Sequence, residues 1–146
     1  MSQPEHGTSS PERIQLVPLA RVSVAAGERH RVEGGPFGNR VIASISEGRW
    51  EGERLSGKIV GAGGDWAMPG PGDAMLLEVR QVLETDDGAI VYVTYHGRCD
   101  RSRGTYTVAP TFETADERYA WLNAVVAVGI GRFEQGRLNY EMFEVR

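Results

Sequence analysis

Short runs rich in Val, Ile, Tyr and Thr recur along the chain, each ended by a glycine-bearing break. That texture predicts strands joined by frequent turns. The first run covers residues 14–26 and is open to interruption at Pro18. Residues 40–46 and 55–60 are strand candidates joined by a glycine-rich bend, 48–52, while 34–39 and 61–72 read as loops. Residues 74–84 and 89–98 make the clearest hairpin, 105–111 a further strand, and 122–133 with 138–145 a closing hairpin. One helical turn is expected at 115–121, with Thr114 as its cap and Glu117 as the capping-box partner. Residues 1–12 read as a flexible tail before a single domain, 13–146. About eight strands in sequence predict an all-β antiparallel up-and-down barrel of the lipocalin type, with a sandwich as the competing architecture. A barrel of that size has room for one small ligand.

The central hairpin yields a face assignment. Asp86-Asp87-Gly88 fits a three-residue loop with Gly88 in the left-handed region, which pairs Thr85 with Ala89. One face then carries Leu77, Val79, Leu83, Val91, Val93 and Tyr95, and the other Glu78, Arg80, Val82, Ile90, Tyr92, Thr94 and His96. The apolar face is the core on one reading. On the other, the mixed face lines a ligand cavity and the apolar face needs a second subunit as cover, which predicts a homodimer.

Composition narrows the function classes. Sixteen Lys and Arg against twenty Asp and Glu give a net charge of −4, which argues against a nucleic-acid module. There is neither a secretory leader nor an apolar run long enough to span a membrane, so the expectation is a cytoplasmic protein without a membrane or nucleic-acid partner. Cys99 is the sole cysteine, and His6, His30 and His96 have no ligand spacing, so no metal is expected. The loop at 34–38 precedes a strand rather than a helix, and phosphate-loop and serine-elbow motifs are missing, so no cofactor is expected either. Asp65-Trp66 occurs once, which excludes a propeller.

An ordered set of residues carries a resemblance. It runs Gly35-Pro36-x-Gly38-x-Arg40, Gly48-x-x-x-Gly52-x-x-Leu55-x-Gly57 and Gly63-Gly64-Asp65-Trp66. It continues with Val79-Arg80, Asp87-Gly88-Ala89, Tyr92, Gly97, Phe112-Glu113-Thr114 and Tyr119-Ala120-Trp121-Leu122-Asn123. The set resembles domain-of-unknown-function family 3237, also called uncharacterised protein family 0311, over residues 16–145. The resemblance implies a small lipocalin-like barrel and assigns no reaction. The sequence departs from relatives at Glu53-Arg54, where they carry Pro-Arg, which bears on a bend and not on a site.

The candidate chemistry centres on Asp65, a carboxylate beside an indole and between glycines, suited to a general base. Its structural reading is a turn cap, with Trp66 plugging a barrel end. Arg40 and Arg80 could hold a substrate carboxylate or an oxyanion, or form salt bridges, for instance Arg80 with Glu78 or Asp65. Tyr92 could act as the acid and His96 as an alternative base, or both could simply be exposed. Glu113, Tyr119 and Trp121 fit a lid over a barrel mouth, and Asn123 either bonds that lid's backbone or reaches the cavity. Together these residues predict one pocket containing Arg40, Asp65, Trp66, Arg80, Tyr92 and Asn123. Two functions follow: a cofactor-independent acid–base enzyme of isomerase, cyclase, hydratase or lyase type on a small, partly apolar molecule, or a non-catalytic carrier of such a molecule.

Overall fold

The computed structural model describes residues 12–146, so the expected tail, Glu12 excepted, and His6 lie outside the described residues. Ten strands follow in order: β1 (Leu16–Ala25), β2 (Arg29–Gly35), β3 (Gly38–Ser44), β4 (Gly48–Glu51), β5 (Gly57–Pro69), β6 (Ala74–Thr85), β7 (Ile90–Asp100), β8 (Thr105–Glu113), β9 (Ala127–Glu134) and β10 (Arg137–Val145). Eight of them close a ring, β1–β4–β5–β6–β7–β8–β9–β10, in which every neighbour is antiparallel. The hairpin β2–β3 extends this ring at one end, pairing with the second half of β5 through Val41–Ala67 and Ala43–Asp65. The chain is an antiparallel up-and-down barrel.

The central hairpin takes the expected register. Glu84 pairs with Ile90, Thr85 N donates to Ala89 O at 2.8 Å, and Gly88 adopts φ 92°. Leu77, Val79, Leu83, Val91, Val93 and Tyr95 are all buried inside the barrel. Burying that face removes the larger apolar area from water, so it becomes the core. The mixed face, with Arg80, Tyr92 and His96, therefore lies outside, which overturns the cavity-lining reading of those residues. A second copy is not needed to cover Leu77 and its neighbours.

Other expectations need correction. The bend at 48–52 is strand β4, and the loop at 61–72 is largely strand β5. Its glycines misled because they sit where neighbouring backbones press in: a Cβ at Gly63 would lie 2.7 Å from Ile45 O and 2.8 Å from Arg80 O. Gly61, at φ 64°, marks a bulge where the β5–β6 register shifts. Strand β2 was not anticipated, because Arg29–Gly35 has no apolar alternation. The helical turn is a 3-10 helix at Glu117–Ala124 capped by Asp116, whose side chain accepts from Arg118 N. Thr114 instead donates its hydroxyl to Ile90 O, so the Thr114–Glu117 capping box does not form. The helix takes the first residues of the expected strand 122–133, leaving β9.

That helix closes one end of the barrel. Leu122 is fully buried, and Tyr119 Oη donates to Asp87 Oδ1 at 2.8 Å in the β6–β7 turn. Trp50 meets Phe112 edge-on, with centroids 5.7 Å apart, and donates Nε1–H to Gln81 Oε1 at 3.2 Å. Gln81 in turn donates to Tyr95 Oη at 2.9 Å, which satisfies a polar group in the middle of the core. The opposite end is open. No helix among the described residues is long and apolar enough to cross a membrane.

Candidate functional site

The open end holds a cavity of ≈ 290 Å³ between β2, β3, the second half of β5 and the β9–β10 hairpin. Its walls include Val24, Val41, Ala67, Met75 and Leu138, and its polar groups include Asp65, Tyr106, Arg29, Arg31 and Arg101. That size suits a small ligand, and apolar walls with a few convergent polar groups are the usual makeup of a ligand site.

Asp65 reaches this cavity by strand parity. It pairs with Ala43 on one side and Val79 on the other, and both face inward, so its carboxylate does too. Oδ1 accepts from Glu78 N at 3.2 Å. Burial among apolar walls pushes the Asp65 carboxyl up to about 6; that bond and the positive charge of Arg29 hold it down, while Glu78 pushes it up further. Tyr106, from β8, lies in the same cavity, and burial raises its phenol above the ordinary value. Beneath them, burial likewise keeps Tyr95 and Tyr140 protonated, and their rings meet edge-on with centroids 6.2 Å apart. Above pH 6 the site thus sets an ionised carboxylate among phenols that remain proton donors.

Three arginines surround it. Arg29 pairs with Ala43 and Arg31 with Val41, so both guanidinium-bearing side chains sit on the inward face of β2. Arg29 also lies over the Phe133 ring, 5.7 Å from its centroid. Arg101 holds the β5–β6 loop by donating to the carbonyls of Gly70, Gly72 and Asp73.

The single pocket expected from the sequence does not form, and Asp65 alone of its members lines the cavity. Trp66 points outward by alternation and packs under Arg80, 5.5 Å from guanidinium carbon to ring centroid. Arg80 also lies 3.6 Å from Glu78, an exposed surface pair. Tyr92 and His96 are exposed on the outer face. Arg40 lies beside the mouth in a separate polar depression with Arg31 and Arg101. Glu113 is exposed at the closed end, and Trp121 stacks under Arg54 at 4.9 Å. Asn123 bonds the Thr114 backbone twice, donating to O at 3.0 Å and accepting from N at 2.8 Å. Tyr119, Trp121 and Asn123 therefore belong to a plug, and no lid covers the mouth among the described residues. The residues missed from sequence are Arg29, Arg31, Arg101 and Tyr106. Their one readable signal was the Arg29-x-Arg31 spacing, two charges on one strand face.

A larger depression, ≈ 910 Å³, crosses the outer face of β1, β9 and β10. Its Arg21 and Glu141 pair at 3.9 Å with side chains 84% and 65% exposed, an ordinary solvated ion pair. The mouth cavity is the candidate site.

The family model described as "Protein of unknown function (DUF3237)" matches residues 14–145. A UPF0311 protein of Rhodopseudomonas palustris is 30% identical over 124 residues, spanning 74% of this chain and 81% of that protein. Among solved structures, a beta-barrel like protein of Acinetobacter baumannii superposes with a TM-score of 0.84 at 30% identity, covering 94% of this chain and 99% of that one. A structure described as an enzyme from Penicillium herquei gives 0.75 at 23% identity over 93% and 98% of the two chains, a likeness of fold.

Proposed function

The chain belongs to the DUF3237 family, and from that premise we propose that it is a cofactor-independent acid–base enzyme acting on a small, partly apolar molecule in the barrel mouth. The observation that carries this reading is Asp65, a carboxylate raised to about 6 by burial, facing a cavity with a phenol beside it. A base poised near neutrality combines the correct protonation state with strength as a proton acceptor. Asp65 takes a proton from the bound molecule, Tyr106 gives one to the oxygen on which charge develops, and the charge of Arg29 stabilises that oxygen. Tyr106 replaces Tyr92 as the acid because Tyr92 lies on the outer face. Isomerisation, cyclisation and elimination each use these parts, and hydration takes a water molecule as co-substrate as well.

The second reading is a carrier, which the largely apolar walls favour. Proton exchange separates the two. The protein is incubated in deuterium oxide with a panel of small ketones, keto acids and lactones, and deuterium wash-in at carbon is followed by NMR. The enzyme reading expects wash-in with at least one compound, lost in Asp65→Asn while that compound still binds. Binding without any Asp65-dependent exchange makes the protein a carrier.

A further inference from the structure

We propose that the occupant of the mouth is an organic carboxylate with a short apolar body, its charged end held by Arg29, Arg31 and Arg101. This assignment presupposes the acid–base reading for the body's position beside Asp65, and adds to it the class of molecule.

The charge distribution supports it. The whole chain carries −4, yet the mouth and the depression beside it gather Arg29, Arg31, Arg40 and Arg101 against Glu33 and Asp65. The sign is reversed exactly where a ligand enters, and a concave, low-dielectric surface focuses such a field on an incoming anion. Strand parity adds a second argument. Arg29 and Arg31 pair with Ala43 and Val41, which line the cavity, so both stand on the cavity side of β2. Both are exposed to solvent, so their guanidinium groups stay open to an incoming anion. Among the described residues neither has an acidic partner within 4.0 Å.

The two concavities share Arg31 and Arg101; Arg101 already donates Nε and Nη2 to loop carbonyls and adds its charge, whereas the Arg31 guanidinium can be approached from both sides. A planar guanidinium matches a carboxylate through two parallel hydrogen bonds. Val41, Met75 and Leu138 below the rim would contribute nothing to a bare inorganic anion, but they cover a hydrocarbon body. The ligand is thereby oriented, with its charge at the rim and its body directed at Asp65.

The test uses the full chain and two probes of equal length, hexanoate and hexanamide, followed by calorimetry and amide NMR shifts. Hexanoate should bind with shifts at the mouth, about tenfold more tightly than hexanamide, and lose affinity in about 0.5 M NaCl. Arg29→Gln with Arg31→Gln should weaken hexanoate about tenfold. Both positions are exposed on β2, so that variant folds. Arg80→Gln with Arg98→Gln, which removes the same charge from the outer face, should change affinity less than about twofold. Equal binding of hexanamide, no binding of hexanoate, an unaffected double variant, or inorganic phosphate binding as tightly as hexanoate would each overturn the assignment. Carboxylate binding on the arginines without Asp65-dependent exchange leaves the assignment standing and removes the enzyme reading. Asp65-dependent exchange confined to neutral compounds does the reverse.

Discussion

Towards the closed end of the barrel, inward positions hold Trp50, Phe112 and Leu122, and the buried polar side chains of Gln81 and Thr85 are hydrogen-bonded. At the mouth, inward positions of the same ring hold Asp65, Tyr106 and, on the appended hairpin, Arg29 and Arg31. One end resembles the interior of any stable domain. The other keeps a half-sheltered carboxylate, which costs stability when it is ionised, beside exposed arginines open to a ligand. Stability should therefore be concentrated at the closed end, and chemistry at the mouth.

The sharpest way to break this contrast is Trp50→Ala. Removing a fully buried indole should cost about 3–5 kcal/mol by denaturant titration. A loss below about 1 kcal/mol would mean the closed end is not the stable one.

Asp65→Asn should act with the opposite sign. The folded protein holds the Asp65 proton up to about pH 6, whereas an unfolded Asp releases it near 4. Asp65 therefore favours the fold fully below pH 4, and that contribution is lost as pH rises through 6. An asparagine, which still accepts from Glu78 N, should raise stability by roughly 1–3 kcal/mol at pH 8 and bring no gain at pH 4. Equal effects at both pH values would place Asp65 in water.

Asn123→Ala removes both bonds to the Thr114 backbone and should cost about 1 kcal/mol without altering ligand affinity at the mouth. Arg80→Gln is the smallest case. Its stacking on Trp66 and its pairing with Glu78 are exposed, so stability should move by no more than about 0.5 kcal/mol.

The sequence disclosed the barrel through local rules. Asp86-Asp87-Gly88 dictated a turn, the turn dictated parity, and parity sorted the apolar face of β6 and β7 correctly. It failed where a local rule had a non-local cause. Gly63 and Gly64 looked like loop because their reason for being glycine, the carbonyls of Ile45, Ala43 and Arg80, lies on other strands. Asp65 stood out between glycines and an indole, but its companions Arg29, Arg101 and Tyr106 arrive from three separate strands or turns, and no spacing along the chain links them. Glu113, Tyr119 and Trp121 were expected as a lid over the pocket, with Asn123 bonding its backbone or reaching the cavity; the segment instead folds over the end away from Asp65, and nothing in a connection's composition says which rim it covers.

The appended hairpin has one more consequence. Closing the ring leaves its eight strands without a free margin, but β2 stands last in the sheet order, with one side pairing to no strand among the described residues. Such a margin is a template on which another chain can extend the sheet. Arg29 and Arg31 set two bulky, hydrated cations along it. Like-charged margins repel each other, which disfavours edge-to-edge stacking of two copies. The mouth and the safeguard against self-association thus draw on the same side chains. A variant that made the cavity greasier by replacing these arginines with valine would also expose an unguarded strand, and its penalty would appear as precipitation on standing at high concentration rather than as a lower melting temperature.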